Sequence, residues 1–253
     1  MIDINAYAGP WPFRALPASA PSEVADVLQA AGIARALVSP LEALFFEDPR
    51  VANERLAARL QPEGTLLLCA VVNPRLANWR PVLTTARESL GARAIKLHPG
   101  YHLYELDSPA ARECLAAAGE AGLPVIIQLR MQDARAQHPL CRIPDVPAAA
   151  ALEAARSAPG AQVVLGGIRF AEARGQGDAI RALANVWVDL SQVEYVDGMR
   201  QVIQAVGSDR LLLGTHAPLF NVRSALLKLD EGLLSDAERA AITRENARRL
   251  LRV

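Results

Sequence analysis

The sequence predicts an α/β protein folded as a single (β/α)8 barrel, a TIM barrel, with one extra helix at its C-terminal end. Eight short apolar runs alternate with eight helical patterns along the 253 residues. The apolar runs are continuous rather than alternating, which is typical of parallel strands buried on both faces. No linker or break in composition interrupts the pattern, so residues 1–253 are predicted to form one domain.

Each element follows from its local composition. Short runs rich in Val, Leu and Ile favour strands, which we predict at 2–5, 34–39, 66–72, 93–98, 124–129, 162–167, 186–190 and 210–215. Ala-rich segments favour helices, predicted at 21–31, 49–60, 76–90, 108–121, 146–157, 170–183, 196–206 and 220–230. The tail, 235–253, predicts the extra helix, with Ser235 as N-cap and Glu238 completing a capping box. The alternative is a doubly wound open sheet, but no Gly-x-Gly-x-x-Gly follows any strand.

Composition excludes several function classes. The formal net charge is zero and no basic run exists, so no nucleic-acid surface is expected. The longest apolar stretches, such as 65–72, are too short to span a bilayer, and we expect no membrane association. The N-terminus lacks the pattern of a signal peptide. Cys69, Cys114 and Cys141 have no metal-binding spacing, which favours a reducing, cytoplasmic location.

In a barrel of this type, functional side chains lie at the carboxyl ends of the strands and in the loops after them. Lys96 and His98 are two residues apart, so they share one face of a strand, and burying a lysine against the helices would be costly. We therefore expect both to face the interior. The same spacing places Gln128 and Arg130 together. The predicted site residues are Asn5, Tyr7, Lys96, His98, Gln128, Arg130, His138, Arg169, Asp189, Glu194 and His216.

The four histidines, His98, His102, His138 and His216, are all predicted at strand ends or in loops, and none in a helix. Pro99-Gly100 argues against a helix that would align His98 with His102. About fifteen residues follow Arg130 before the next helix, and long loops of this kind are often functional. Purely structural roles stay open: Lys96 as an ion-pair partner, and the charged residues of that loop as a salt-bridge network.

These motifs give the chain a resemblance to the amidohydrolase superfamily, specifically its amidohydrolase-related (amidohydrolase 2) group. The resemblance spans the chain and is carried by MIDINAYAG, GARAIKLHP, GLPVIIQLR, GSDRLLLGTHAP and ENARRLL. It implies a (β/α)8 barrel in which a divalent metal activates water for hydrolysis, or supports decarboxylation in some members. A short branch of the superfamily is also similar, through GPWPFR at 9–14, Gln-x-Arg and Gly-x-His-x-Pro.

The sequence departs from the group at the implied metal ligands. Asn5 and Tyr7 stand where the group has a histidine pair, and Gln128 replaces a third histidine. Gly166 and Gly167 lie where another histidine is expected, and His216 replaces an aspartate. Asn, Tyr, Gln and Gly are poor ligands for zinc or iron. We therefore expect no metal cofactor.

Three functions remain open. The first is a metal-independent hydrolase for a small carboxylated lactone, ester or amide, as in one lactonase of the superfamily. His216 would be the base, oriented by Asp189 or Glu194, with Tyr7 and Gln128 stabilising the oxyanion. In that hypothesis a rim of four side chains binds the anionic substrate: Lys96, His98, Arg130 and Arg169.

The second function is a non-catalytic barrel that binds a ligand, forms a homo-oligomer or pairs with an active amidohydrolase. Apolar residues after the first two strands, at 9–13 and 41–48, suggest an exposed partner surface, or else a lid over the barrel. The third is a rebuilt metal site made from the four histidines and a carboxylate such as Asp189.

Overall fold

The computed structural model describes residues 1–252, so Val253, the last residue of the predicted C-terminal helix, lies outside the described residues. Eight parallel strands pair in sequence order, and the (β/α)8 prediction is confirmed. The strands are β1 (Ile2–Ala8), β2 (Arg35–Pro40), β3 (Leu66–Val71), β4 (Ala94–Leu97), β5 (Val125–Gln128), β6 (Val163–Gly166), β7 (Val186–Asp189) and β8 (Leu211–Leu212).

Backbone hydrogen bonds between the first strand and the chain after the last one close the barrel. Ile4 N donates to Leu213 O at 2.9 Å, and His216 N donates to Asn5 O at 2.8 Å. Asn5 and His216 are therefore held side by side although they lie at opposite ends of the sequence.

The helices pack around the strands. They are α1 (Pro21–Ala30), α2 (Pro49–Ala57), α3 (Trp79–Glu88), α4 (Pro99–His102), α5 (Pro109–Glu120), α6 (Ala148–Ser157), α7 (Phe170–Gly175), α8 (Gly177–Ala182), α9 (Gly198–Val206), α10 (Val222–Glu231), α11 (Asp236–Ala240) and α12 (Asn246–Leu251). The helix predicted over 170–183 is divided into α7 and α8, and Gln176 lies between them. The capping box at Ser235 is confirmed, because Ser235 N donates to Glu238 Oε2 at 2.9 Å.

One short helix contradicts the sequence analysis. Pro99 begins α4 and His102 ends it, so one histidine does lie in a helix. The first position of a helix tolerates proline because its N–H would have no partner there. This turn places the rings of His98 and His102 6.1 Å apart.

Apolar side chains fill the half of the barrel near the amino ends of the strands. Polar side chains lie in the half near the carboxyl ends. Ile4, Leu37, Cys69 and Ile126 pack in the interior, and α12 closes the bottom with Leu250. In residues 1–252, no helix has the length and apolar character that crossing a bilayer requires. The barrel thus presents its polar interior only toward the carboxyl ends of the strands, where the candidate site lies.

Candidate functional site

A buried hydrogen-bond network joins four strands at the mouth of the barrel. Lys96 Nζ donates to Asn5 Oδ1 at 2.7 Å. Asn5 Nδ2 donates to Asp189 Oδ2 at 2.6 Å and to Gln128 Oε1 at 3.2 Å. All four side chains are almost completely buried. The inward direction predicted for Lys96 and Gln128 is therefore observed, and β1, β4, β5 and β7 are tied together by side chains.

Lys96 is a buried cation without a direct ionic partner. Within residues 1–252, no carboxylate oxygen lies within 4 Å of its Nζ, while the ring of Tyr7 lies 3.9 Å below the ammonium. Loss of hydration lowers the pKa of Lys96 to about 8, and the charge of Asp189 acts in the opposite direction. Buried charges in proteins are normally paired, and this ammonium is an exception within residues 1–252.

Unpartnered polar atoms surround the Lys96 ammonium. In the described chain these include the Tyr7 hydroxyl, both ring nitrogens of His98 and Nδ1 of His216. The Tyr7 ring centroid lies 5.0 Å from that of His216 and 6.3 Å from that of His98. Buried polar groups usually have hydrogen-bond partners. Three side chains from three different strand ends therefore present free hydrogen-bonding atoms next to a cation.

Both histidines are neutral. His216 Nε2 lies 2.7 Å from Met131 O, and because a carbonyl only accepts, Nε2 carries the hydrogen and Nδ1 is bare. Burial lowers the pKa of His216 to about 3, with the Lys96 charge acting in the same direction. Burial also lowers the pKa of His98 well below its ordinary value. At neutral pH each imidazole is therefore uncharged and offers one bare acceptor nitrogen, and His98 also offers an unpartnered N–H.

Aromatic side chains from the segments after β1, β2, β4 and β5 cover the site. We define the lid as Trp11, Phe13, Phe45, Tyr101 and His138, whose neighbouring rings lie 5.1–5.8 Å apart. The lid places the side chain of Trp11 in the interior, with 5% of its surface exposed. The predicted exposed patch after the first strand is therefore wrong for Trp11, and the alternative of a lid is observed.

A small cavity lies between His98, Tyr101, Gln128 and Met131, against the loop after β5. It has room for about one water molecule. A larger substrate does not fit this cavity as it stands.

The predicted electropositive rim is largely neutralised. Arg130 binds both carboxylate oxygens of Glu172 at 2.7 Å, and its Nε lies 3.0 Å from Asp145. Arg169 pairs with Asp145 at 3.1 Å and with Asp133 at 3.7 Å. These arginines hold the loop after β5 against α7, so the salt-bridge network is observed, while substrate binding by Arg130 and Arg169 stays a prediction.

The structure thus separates the predicted site residues into groups. Seven line the interior: Asn5, Tyr7, Lys96, His98, Gln128, Asp189 and His216. His138 belongs to the lid, where it stacks on Phe13, and Glu194 is exposed. Neither acidic residue orients His216 as predicted, because the Met131 carbonyl does so. Sequence reasoning missed Met131, since a backbone acceptor leaves no signal in residue type.

Residues 7–253 match the model of a protein family described as amidohydrolase. No curated protein matches the chain. Among solved structures, a 2,6-dihydroxybenzoate decarboxylase complexed with 2,6-dihydroxybenzoate has a TM-score of 0.78 at 17% identity, covering 100% of this chain and 99% of that one. A dihydroxybenzoic acid decarboxylase from Polaromonas sp., with bound manganese and 2-nitroresorcinol, has a TM-score of 0.77 at 15% identity, covering 99% and 96%.

A third similar structure is a 5-carboxyvanillate decarboxylase from Novosphingobium aromaticivorans with manganese and 4-hydroxy-3-methoxy-5-nitrobenzoic acid. Its TM-score is 0.76 at 15% identity, covering 100% of this chain and 96% of that one. At these identities the likeness establishes the shared fold. The expectation of no cofactor is corrected by these comparisons, because bound manganese in two of the three neighbours points to a metal cofactor.

The interior side chains offer few free ligands for such an ion. Manganese takes oxygen and nitrogen ligands from several directions. The amides of Asn5 and Gln128 are committed to other side chains and to Arg130 O. Over residues 1–252, no three His, Cys, Asp or Glu side chains converge as ligands would. The residues in this arrangement do not fit a metal ion.

Proposed function

The chain belongs to the amidohydrolase family, and from that premise we propose that it decarboxylates a small hydroxylated carboxylate bound at Lys96. One observation carries the proposal: the Lys96 ammonium is fully buried and has no carboxylate partner within residues 1–252. A substrate carboxylate would supply the missing charge. The pairing would then have the short, charge-assisted hydrogen bonds that such groups form.

The neighbouring side chains select for hydroxyl groups on the same ligand. His216 Nδ1 and one ring nitrogen of His98 are bare acceptors that a ligand hydroxyl can satisfy, while the other ring nitrogen of His98 carries a hydrogen and can donate. The Tyr7 hydroxyl both donates and accepts. The neighbours described above bind hydroxylated or nitrated benzoates and resorcinols, which supports a ligand with these groups.

The geometry favours proton delivery as the chemical step. In decarboxylation the bond between the carboxylate carbon and the rest of the substrate breaks, and CO₂ leaves. The electron pair stays on the substrate carbon, which takes a proton from Lys96 Nζ. A lysine whose pKa is lowered to about 8 gives up a proton more readily than an ordinary lysine. Solvent then reprotonates the amine after the lid opens and the product leaves.

Hydrolysis with His216 as base is less well supported. An efficient general base has a pKa near the working pH, whereas burial holds the pKa of His216 at about 3. Decarboxylation needs neither a strong base nor a water nucleophile.

The test is binding and turnover of 2,6-dihydroxybenzoate, with benzoate as the matched probe that lacks hydroxyls. Calorimetry measures binding and CO₂ release measures turnover, each with added Mn²⁺ and again after chelation. Lys96→Met is expected to abolish both. The control is Lys228→Arg, at the only other lysine of the chain.

Binding without turnover would indicate the second candidate function, a non-catalytic barrel that binds a ligand. The small size of the cavity favours this candidate. Failure to bind either probe, with or without Mn²⁺, would refute the proposal. Tighter binding of benzoate than of 2,6-dihydroxybenzoate would contradict the role of the two imidazoles.

A further inference from the structure

We infer that Asn5 is a positioning residue whose side-chain amide holds the Lys96 ammonium apart from the Asp189 carboxylate, so that the ammonium keeps hydrogens for an anionic ligand. The ligand part of this inference rests on the proposed function. The arrangement of the three side chains does not, because it is visible in the hydrogen bonds alone.

The orientation of the Asn5 amide is fixed by its neighbours. Its oxygen accepts from Lys96 Nζ, and its nitrogen donates to oxygens of Asp189 and Gln128. A flipped amide would point N–H groups at an ammonium and an oxygen at a carboxylate. Asn5 can therefore stand between the two charges in only one way, with its acceptor toward Lys96.

Asp189 is compensated by four hydrogen bonds that do not involve Lys96. Its Oδ1 accepts from Ser191 N at 2.8 Å, and its Oδ2 accepts from Ser191 Oγ at 2.6 Å and from Gly167 N at 2.9 Å. The Asn5 amide is the third donor to Oδ2. Hydrogen bonds to a carboxylate stabilise its charged form, so the charge of Asp189 is supported without a direct contact with the ammonium.

Lys96, by contrast, is left with spare capacity. An ammonium has three hydrogens, and in the described chain Asn5 Oδ1 is its single hydrogen-bond acceptor. The Tyr7 ring supports the charge from one side without using a conventional acceptor. A direct ion pair would neutralise this charge, and a substrate carboxylate would then have to displace an internal carboxylate.

Two substitutions at position 5 should move the Lys96 pKa in opposite directions. Asn5→Asp places a carboxylate where the amide oxygen lies and should return the pKa to ~10 or above, because an adjacent opposite charge favours the charged form. Asn5→Leu has a similar size but removes the acceptor, and should lower the pKa below its present value of about 8. A merely structural role for Asn5 would not predict opposite signs.

The chain has only two lysines, Lys96 and Lys228, which makes the measurement direct. Lysine labelled with ¹³C at the ε carbon gives two NMR signals, and Lys228→Arg assigns them. Titration of the Lys96 signal in full-length wild type and in both variants gives the three pKa values. Thermal melts confirm that each variant is folded, and calorimetry with 2,6-dihydroxybenzoate should show a loss of affinity of roughly 100-fold in Asn5→Asp.

Equal pKa values in wild type and Asn5→Asp would overturn the inference. Asp189→Asn tests it without changing position 5. If the amide separates the charges, neutralising Asp189 lowers the Lys96 pKa only slightly; a fall as large as that caused by losing a direct ion pair would overturn the inference. If wild type shows the predicted titrations but binds no carboxylate, the proposed function fails while the arrangement stands.

Discussion

His216 should make the folded chain sensitive to acid, and the size of the effect follows from its burial. Its imidazole is completely buried, and its pKa is lowered to about 3, while an unfolded chain has a histidine pKa of ~6.5. The unfolded state therefore binds a proton first as the pH falls. The stabilising contribution is fully present above pH ~6.5 and is lost as the pH falls toward ~3, to a total of ~5 kcal/mol.

Substitution by asparagine isolates this contribution. His216 has a left-handed backbone conformation, with φ of 57°, which asparagine adopts more readily than most residues. Its amide can also donate a hydrogen bond, as Nε2 does to Met131 O. His216→Asn removes the titrating group. Between pH 7.5 and 4.5 the free energy of unfolding of this variant should fall by ~2.5 kcal/mol less than that of wild type.

Urea melts of both proteins at half-unit pH steps measure this difference. Asp3, whose pKa burial raises to about 6, acts with the opposite sign: its folded form takes up a proton first and gains stability as the pH falls from ~6 to ~4. Asp3 and His98 are present in both proteins, so their effects cancel in the comparison. Curves that stay parallel within ~0.5 kcal/mol over this range would refute the reasoning.

Three further outcomes are expected. Arg130→Met should lower the free energy of unfolding by ~2–3 kcal/mol because it removes the buried guanidinium that binds the partly exposed carboxylates of Glu172 and Asp145, and a loss under ~1 kcal/mol in urea melts would contradict this. Gly166→Ala places a Cβ 2.6 Å from Gln128 Oε1 and should lower the Tm, whereas Gly160→Ala, with no neighbouring atom within 4 Å, should not. Phe13→Ala opens the lid and should speed association of 2,6-dihydroxybenzoate in stopped-flow binding; an unchanged rate would show that entry uses another path.

The fold and the interior side chains were predictable because both depend on local periodicity. Two-residue spacing along a strand directed Lys96 and Gln128 inward. The partners of Arg130 were not predictable, since Glu172 lies 42 residues away and reaches it only through the docking of α7 against the loop after β5. The acceptor for His216 is a backbone carbonyl 85 residues away, and residue type carries no information about such a bond.

The unusual interior residues are also sterically dependent on one another. A Cβ at Gly166 would lie 2.6 Å from Gln128 Oε1, and one at Gly167 would lie 2.8 Å from Gln128 Nε2. A histidine at either glycine is therefore incompatible with Gln128 in its present position. A Cβ at Gly214 would clash with Asp189 Oδ1. The Asp189 carboxylate is held in place because its Oδ2 accepts a hydrogen bond from Asn5.

Each position in this unit constrains its neighbours. Removing Gln128 would free space beside Gly166 but would take an acceptor from Asn5, whose amide orientation fixes Lys96. Protein interiors are close-packed and buried polar groups require partners, so one substitution leaves either a clash or an unpaired atom. A histidine placed at Gly166 alone would destabilise the barrel, and a different polar site would require coordinated replacement of Asn5, Gln128 and Gly166.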